Sequence, residues 1–172
     1  MLRPAVASDV EAMRGWRNQP ANRAVSLNEH EITAEEHAAW WSRVADDRTR
    51  QILVFEFDER PLGIVTFFDL EERGDKAVGS WGFFLDNETA TADAIAIKAW
   101  LRVMEEACAW AFDELDLDEL HGEVLSTNLA VRAMNRRFRF IEGQPRVLED
   151  GREFYPVTLL REDRRDTPKG RP

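Results

Sequence analysis

Three histidines, one cysteine and one arginine-rich segment hold most of the side-chain chemistry available to this 172-residue chain. His37 follows Glu35 and Glu36 at the head of a helix, and an imidazole titrating near ~6.5 can act there as a general base or bond a hydroxyl. His121 falls in the middle of a strand and reads as structural. The three histidines lack the local spacing of a ligand set, so no metal site is expected. Cys108 sits among apolar helix residues with no histidine placed to activate it, which describes a buried thiol in a reducing cytoplasm. Arg132, Arg136, Arg137 and Arg139 either meet an anion or offset acidic neighbours through i, i+4 pairs.

These groups are positioned by a strand from Ala77 to Leu85, a polar loop, a helix from Thr91 to Phe112, a strand from Glu119 to Leu125 and a helix opening at Asn128. Ile95, Ala99, Val103, Ala107 and Trp110 recur at helical spacing, so this helix is a core crossover. Two strands joined by a crossover helix form a βαβ unit, which binds ligands at the carboxyl ends of its strands, near Leu85, Leu125 and Asn128. Upstream lie a short strand, Leu2 to Ala5, and a helix with Ser8 and Glu11 as a capping box and Pro20 as its terminator. A polar loop from Ala21 to Ile32 and a second capped helix, opening at Thr33 and Glu36, follow. Strands at Gln51 to Phe57 and Leu62 to Leu70 form a hairpin and, with Ala77 to Leu85, an antiparallel meander. The chain closes on a hairpin turn at Asp150-Gly151, a strand from Glu153 to Leu160 and a polar tail, 162–172, read as disordered. The class is α+β, with one domain over 1–161.

Hydrophobic residues make up 44% and charged residues 33% of the chain, the balance of a folded soluble domain. A formal net charge of −10 argues against nucleic acid as the main partner. The opening residues lack a signal peptide's basic flank and apolar run, and the longest apolar helix carries four charges, Lys98, Arg102, Glu105 and Glu106. Neither export nor a membrane is expected.

The order β, α, α, three antiparallel strands, α, β, α, β-hairpin resembles the GNAT acetyltransferase fold over residues 2–161. Local segments sharpen it: Trp16-Arg17-Asn18-Gln19-Pro20, Glu35-Glu36-His37 with Trp40, Trp81-Gly82-Phe83-Phe84, Ala111-Phe112-Asp113-Glu114-Leu115, Leu120 to Leu125 and Asn128. They are most similar to the branch that acetylates the 4-amino group of a UDP-linked amino sugar in pseudaminic-acid biosynthesis. They resemble less closely the branch that acetylates N-termini of ribosomal proteins. The resemblance implies a mixed sheet of about seven strands flanked by about four helices.

It also implies acetyl-CoA as co-substrate and direct attack of an amine on the thioester. Phe84, Leu85 and neighbouring backbone would hold the donor, Asn128 its pantetheine arm and Arg136 its 3′-phosphate end. Arg17, Asn18, Arg23, His30, His37 and Trp81 would face the acceptor, best read as a nucleotide-linked amino sugar.

Two departures from the family pattern stand out. Between Asp86 and Trp100 there is neither the glycine nor the arginine of the usual pyrophosphate loop, while Asp86, Glu88 and Asp93 oppose phosphate. The position of the family's general-acid tyrosine is Asn135, which can bond sulfur or carbonyl but supplies no proton. These departures keep two alternatives open. One is a non-catalytic GNAT-like binding or assembly protein; the other is a transferase whose thioester donor is an acyl carrier protein docked on the Arg132 to Arg139 helix. A homodimer is compatible with either.

Overall fold

The computed structural model describes residues 1–165. Its elements are β1 (Leu2–Pro4), α1 (Val10–Asn18), α2 (Pro20–Arg23), α3 (Ala34–Val44), β2 (Gln51–Phe57), β3 (Arg60–Arg73) and β4 (Lys76–Leu85). They continue with α4 (Asn87–Ala92), α5 (Ala96–Ala109), β5 (Glu119–Leu125), α6 (Leu129–Arg137), β6 (Ile141–Glu142), β7 (Arg146–Val147) and β8 (Glu153–Leu160). One sheet holds all eight strands, in the order β1-β2-β3-β4-β5-β8-β6, with β7 pairing β8. Every pairing is antiparallel except β4 with β5, the junction that α5 crosses. The α+β class and the βαβ unit stand as expected, with one more strand and two more short helices.

The apolar run of β2 is buried on both faces, as a central strand covered on each side must be. Leu53 and Phe55 face the larger core with α5, whose Ala99, Val103, Met104 and Ala107 are all fully buried. Ile52 and Val54 face the other way and pack with Met13 and Trp16 of α1 and Val44 of α3. Cys108 is buried, and burial pushes its thiol up to about 12, so it is inert.

Four local readings are revised. At the first helix, Asp9 replaces the Ser8 and Glu11 box: its carboxylate accepts from Val6 N and from Arg3, while Glu11 pairs with Arg14. Pro20 does end α1, with Gln19 at ψ 136°, but it also opens α2 at the first helical position, where a missing N–H costs nothing. The continuous helix expected from Thr91 is broken in two. Asp86 caps α4 through Thr89 N and Thr89 Oγ1, and Ala94, at φ +56°, ends that turn before α5 begins. In the tail, Arg161–Asp163 form a 3-10 turn and Arg164 grips Asp113 through two bonds of 2.6 and 2.9 Å. The remainder of the tail, 166–172, lies outside the described residues. The Thr33 and Glu36 capping box is present as expected.

Gly63 of β3 faces the carboxyl end of β4, where a Cβ would stand 2.5 Å from Phe84 O and 3.0 Å from Leu85 Cα. Both neighbours are backbone, so β4 must shift to admit it. Gly63→Ala is expected to cost about 2–4 kcal/mol in denaturant unfolding. Gly15→Ala, inside α1 with nothing within 4 Å of its new Cβ, is expected to stabilise by about 0.5–1 kcal/mol.

Candidate active site

β4 and β5 stay paired for only three residues, Val78 to Ser80 against Glu119 to His121, and then part. The antiparallel ladders on either side fix which backbone groups face the gap. Asp86 N donates to Leu62 O, so even-numbered β4 residues turn toward β3, and Phe83 and Leu85 turn toward the gap. Pro156 O accepts from Gly143 N on the far side of β8, so Glu123, its partner across the ladder, directs its own N–H and C=O into the same gap. Unpaired backbone on both rims is a binding surface for an extended ligand that carries amides of its own.

The gap opens into a cavity of about 600 Å³. Trp81 lies along its floor, stacked between Phe83 and Phe140 with centroids 5.5 and 5.8 Å away. Gly122 lies against the floor, where a Cβ would stand 3.3 Å from Val157 Cγ2 and 3.4 Å from Trp81 Nε1. Helix α6 supplies Asn128 and Asn135. The Oδ1 of Asn128 caps Val131 N at 3.2 Å, and the residue lines the cavity. Asn135 is 5% exposed, lines the cavity and makes no side-chain hydrogen bond to a described residue. Its amide atoms are not among the buried unpartnered ones, so they keep access to the cavity, where a ligand can bond them.

The wall toward α1 and α2 is held by a network that sequence reading did not detect. Buried Asn22 donates to Trp16 O at 2.7 Å and to Leu85 O at 2.8 Å, and accepts from Asn87 Nδ2 at 2.7 Å. Gln19 donates to Asp86 Oδ1 at 2.7 Å and accepts from Asn87 N at 2.8 Å. Burial raises the Asp86 carboxyl, but the bonds from Thr89 and Gln19 more than offset this and hold it below its ordinary value. Leu85 therefore lines the site with its carbonyl already engaged by Asn22. No spacing rule points to Asn22, since two of its three partners, Leu85 O and the Asn87 amide, lie 63 and 65 residues away.

Two charged side chains line the cavity, Arg17 and Glu123. Glu123 is exposed and pairs with no described residue. It escaped sequence analysis; the available signal was a lone carboxylate at the end of the parallel pair, five residues before Asn128. Phe84, Leu85, Asn128, Asn135, Arg17 and Trp81 all line the cavity, though the backbone of Phe84 pairs with β3 and not with the gap.

The other expected site residues do not line it. His37 is buried between α1 and α3, stacked on Trp40 at 4.9 Å, with its Nδ1 unpartnered. Asn18 is spent on the backbone of Ile32, donating to its O at 2.8 Å and accepting from its N at 2.9 Å. Arg23 pairs with Glu31, and His30 with Glu36. Arg136 is exposed and reaches Glu142 at 3.5 Å. Arg132 lies over Tyr155 at 4.1 Å and grips Glu142 through two bonds, which removes it from any docking surface for an acidic carrier.

The region expected to hold a pyrophosphate is less hostile than its composition. Asp86 faces inward as a cap, and Asp93 is neutralised by Arg60 at 2.6 Å. The first α-helical bond of α5 runs from Ala99 N to Ile95 O, so the amides of Ala96, Ile97 and Lys98 precede it, and Ala96 and Ile97 line the cavity. Helix N-terminal amides of this kind bind phosphate without glycine, and Lys98 is an exposed cation in the same turn, outside the cavity lining. Trp100 stands on the same wall.

The family model described as an acetyltransferase (GNAT) domain matches residues 1–141. No curated protein sequence matches the chain. Among solved structures, spermidine N-acetyltransferase from Vibrio cholerae, in complex with CoA and spermine, superposes with a TM-score of 0.78 at 13% identity, covering 95% of this chain and 96% of that one. The Campylobacter jejuni N-acetyltransferase PseH does so with a TM-score of 0.65 at 16% identity, covering 94% and 97%. At these identities the likeness is one of fold.

His37 has a stability consequence. Burial, followed by the nearby Arg14, lowers its pKa below 6.5 despite the opposing pull of Glu11, and burial lowers that of His121 too, with Glu119 opposing and Arg73 assisting. Both imidazoles are held neutral in the fold and protonate first in the unfolded chain. Stability is therefore full above pH 6.5 and declines as pH falls through the folded values. Thermal melts from pH 7.5 to 5 should show this decline, and His37→Phe should flatten it.

Proposed function

The chain belongs to the GNAT acetyltransferase family and is an acetyl-CoA-dependent N-acetyltransferase acting on amines; we propose that its acceptor is a small primary amine, a nucleotide-linked amino sugar, bound opposite the donor. The observation that carries the reading is the parted β4–β5 edge, whose unpaired backbone opens onto a cavity holding a free carboxylate and an unpartnered amide.

The donor supplies an acetyl group activated as a thioester. Phe83 and Glu123, with the N–H of Leu85, offer backbone groups to the pantetheine amides from the two rims, and the α5 amides, with Lys98 nearby in sequence, receive the pyrophosphate. Acceptor and thioester meet above Trp81, so most of the rate enhancement is positioning. Glu123 removes a proton from the incoming ammonium, directly or through one water, and frees the nitrogen lone pair. A C–N bond forms at the carbonyl carbon as the C–S bond breaks. Asn135 donates an N–H to the negative charge that develops on oxygen or sulfur, in a site where a preorganised donor is worth more than in water. Asn135 has no proton to release, so the departing thiolate takes the second proton of the amine nitrogen.

Calorimetric titration with acetyl-CoA should give saturable heat. Thiol release that depends on an added amine should fall by about 10²-fold or more in Glu123→Gln, with donor affinity retained. Asn135→Ala should lower kcat by about 10²-fold. Absence of heat at millimolar acetyl-CoA would instead identify a binding protein on the same scaffold.

A further inference from the structure

We propose that the indole N–H of Trp81 donates a hydrogen bond to the carbonyl oxygen of the bound thioester, which makes it a second side-chain donor in the reaction beside Asn135. The inference rests on the acetyltransferase reading above. Trp81 is 7% exposed and lines the cavity. Its Nε1 has no hydrogen-bond partner among the described residues, yet it is not among the buried unpartnered atoms, so it keeps surface on the cavity. A buried indole ordinarily finds an acceptor. Trp110 does so in this fold, donating to Gln51 Oε1 at 2.8 Å.

The nitrogen edge of the ring lies where the strands have parted. Nε1 stands 3.4 Å from the place of a Gly122 Cβ, and Gly122 follows His121, the last β5 residue that pairs with β4. The ring is clamped on both faces, by Phe83 with 19° between planes and by Phe140 with 22°. Arg139, at φ +69°, turns the chain after α6, and Phe140 N then donates to Asn135 O at 2.9 Å. One corner therefore carries both the brace for Trp81 and the Asn135 amide. A donor fixed in this way before the ligand arrives needs no reorganisation at the moment of reaction.

An indole N–H only donates, so its complement is an acceptor atom, and the carbonyl oxygen is the strong acceptor of a thioester while sulfur is a weak one. As the amine nitrogen forms its bond to the carbonyl carbon, the C=O π pair moves onto oxygen and the bond from Nε1 strengthens. When that pair returns, the C–S bond breaks and the thiolate leaves with the sulfur pair. The indole keeps its proton throughout, and the two protons lost by the ammonium go to Glu123 and to the thiolate. With the oxygen served by Trp81, Asn135 is left for the sulfur.

The test follows the indole ¹H–¹⁵N resonances of the full chain, with that of Trp81 identified by its contacts to the Phe83 and Phe140 ring protons. Acetyl-CoA should move this resonance downfield, and CoA, which has the same pantetheine amides but no acetyl oxygen, should leave it near its free position. An equal displacement by both ligands places the bond on the pantetheine arm and overturns the assignment. In Trp81→Phe, which keeps a ring and loses the N–H, kcat should fall by about 10²-fold while KM for acetyl-CoA stays within about 3-fold. An unchanged kcat also overturns it. Should that variant lose its native circular dichroism, the wild-type spectra decide alone. Calorimetric heat from acetyl-CoA without movement of the Trp81 resonance sinks this inference and spares the acetyltransferase reading; no heat at millimolar acetyl-CoA sinks both.

Discussion

A parallel strand pair that stops after three residues creates everything functional in this protein. A sheet ordinarily continues its ladder because each unmade backbone bond in a shielded place costs about 1–3 kcal/mol. Here the rims are separated by solid matter on the floor: Trp81, wedged between Phe83 and Phe140, with Gly122 opposite it to spare the space. The remaining backbone groups cannot reach across, and the gap is left with donors and acceptors in register for a ligand of peptide-like polarity.

Such a gap would collapse if its far ends were free. Asn22 and Gln19 prevent this by tying the end of β4 and the head of α4 to the corner between α1 and α2. Pro20 is what places both side chains: by ending one helix and starting another within two residues, it turns Gln19 and Asn22 toward Leu85 and Asp86. A short backbone device on one side of the cavity thus sets the geometry of the wall on the other.

Most of the scaffold was legible in the sequence because it is written in short-range codes. Short apolar runs between turn signals marked β2, β5 and β8 to the residue, and Thr33 with Glu36 marked the head of α3. The cavity lining was legible where position follows the backbone, as with Leu85, Asn128 and Asn135. It was obscure where chemistry depends on what a side chain faces. His37 carries an attractive functional group but turns into the packing between two helices. Asp86 and Asp93 look like a phosphate-repelling pair and prove to be a cap and half of an ion pair. Glu123 carries no local signal, because its place on the cavity comes from a ladder that ends beside it.

The loop from Ala24 to Ile32 owes its shape to arginines that belong to other elements. Arg17 holds Asn28 O, Arg23 holds Glu29 O, and Arg152, from the distant β8 hairpin, holds Ser26 O at 3.1 Å and Leu27 O at 2.5 Å. All of these grips fall on main-chain carbonyls, which every residue type possesses. The loop's own side chains can therefore be exchanged in descent without unmaking its path. A lineage built on this chassis could retarget its acceptor by rewriting positions such as Leu27 and Asn28 while the donor half stays untouched.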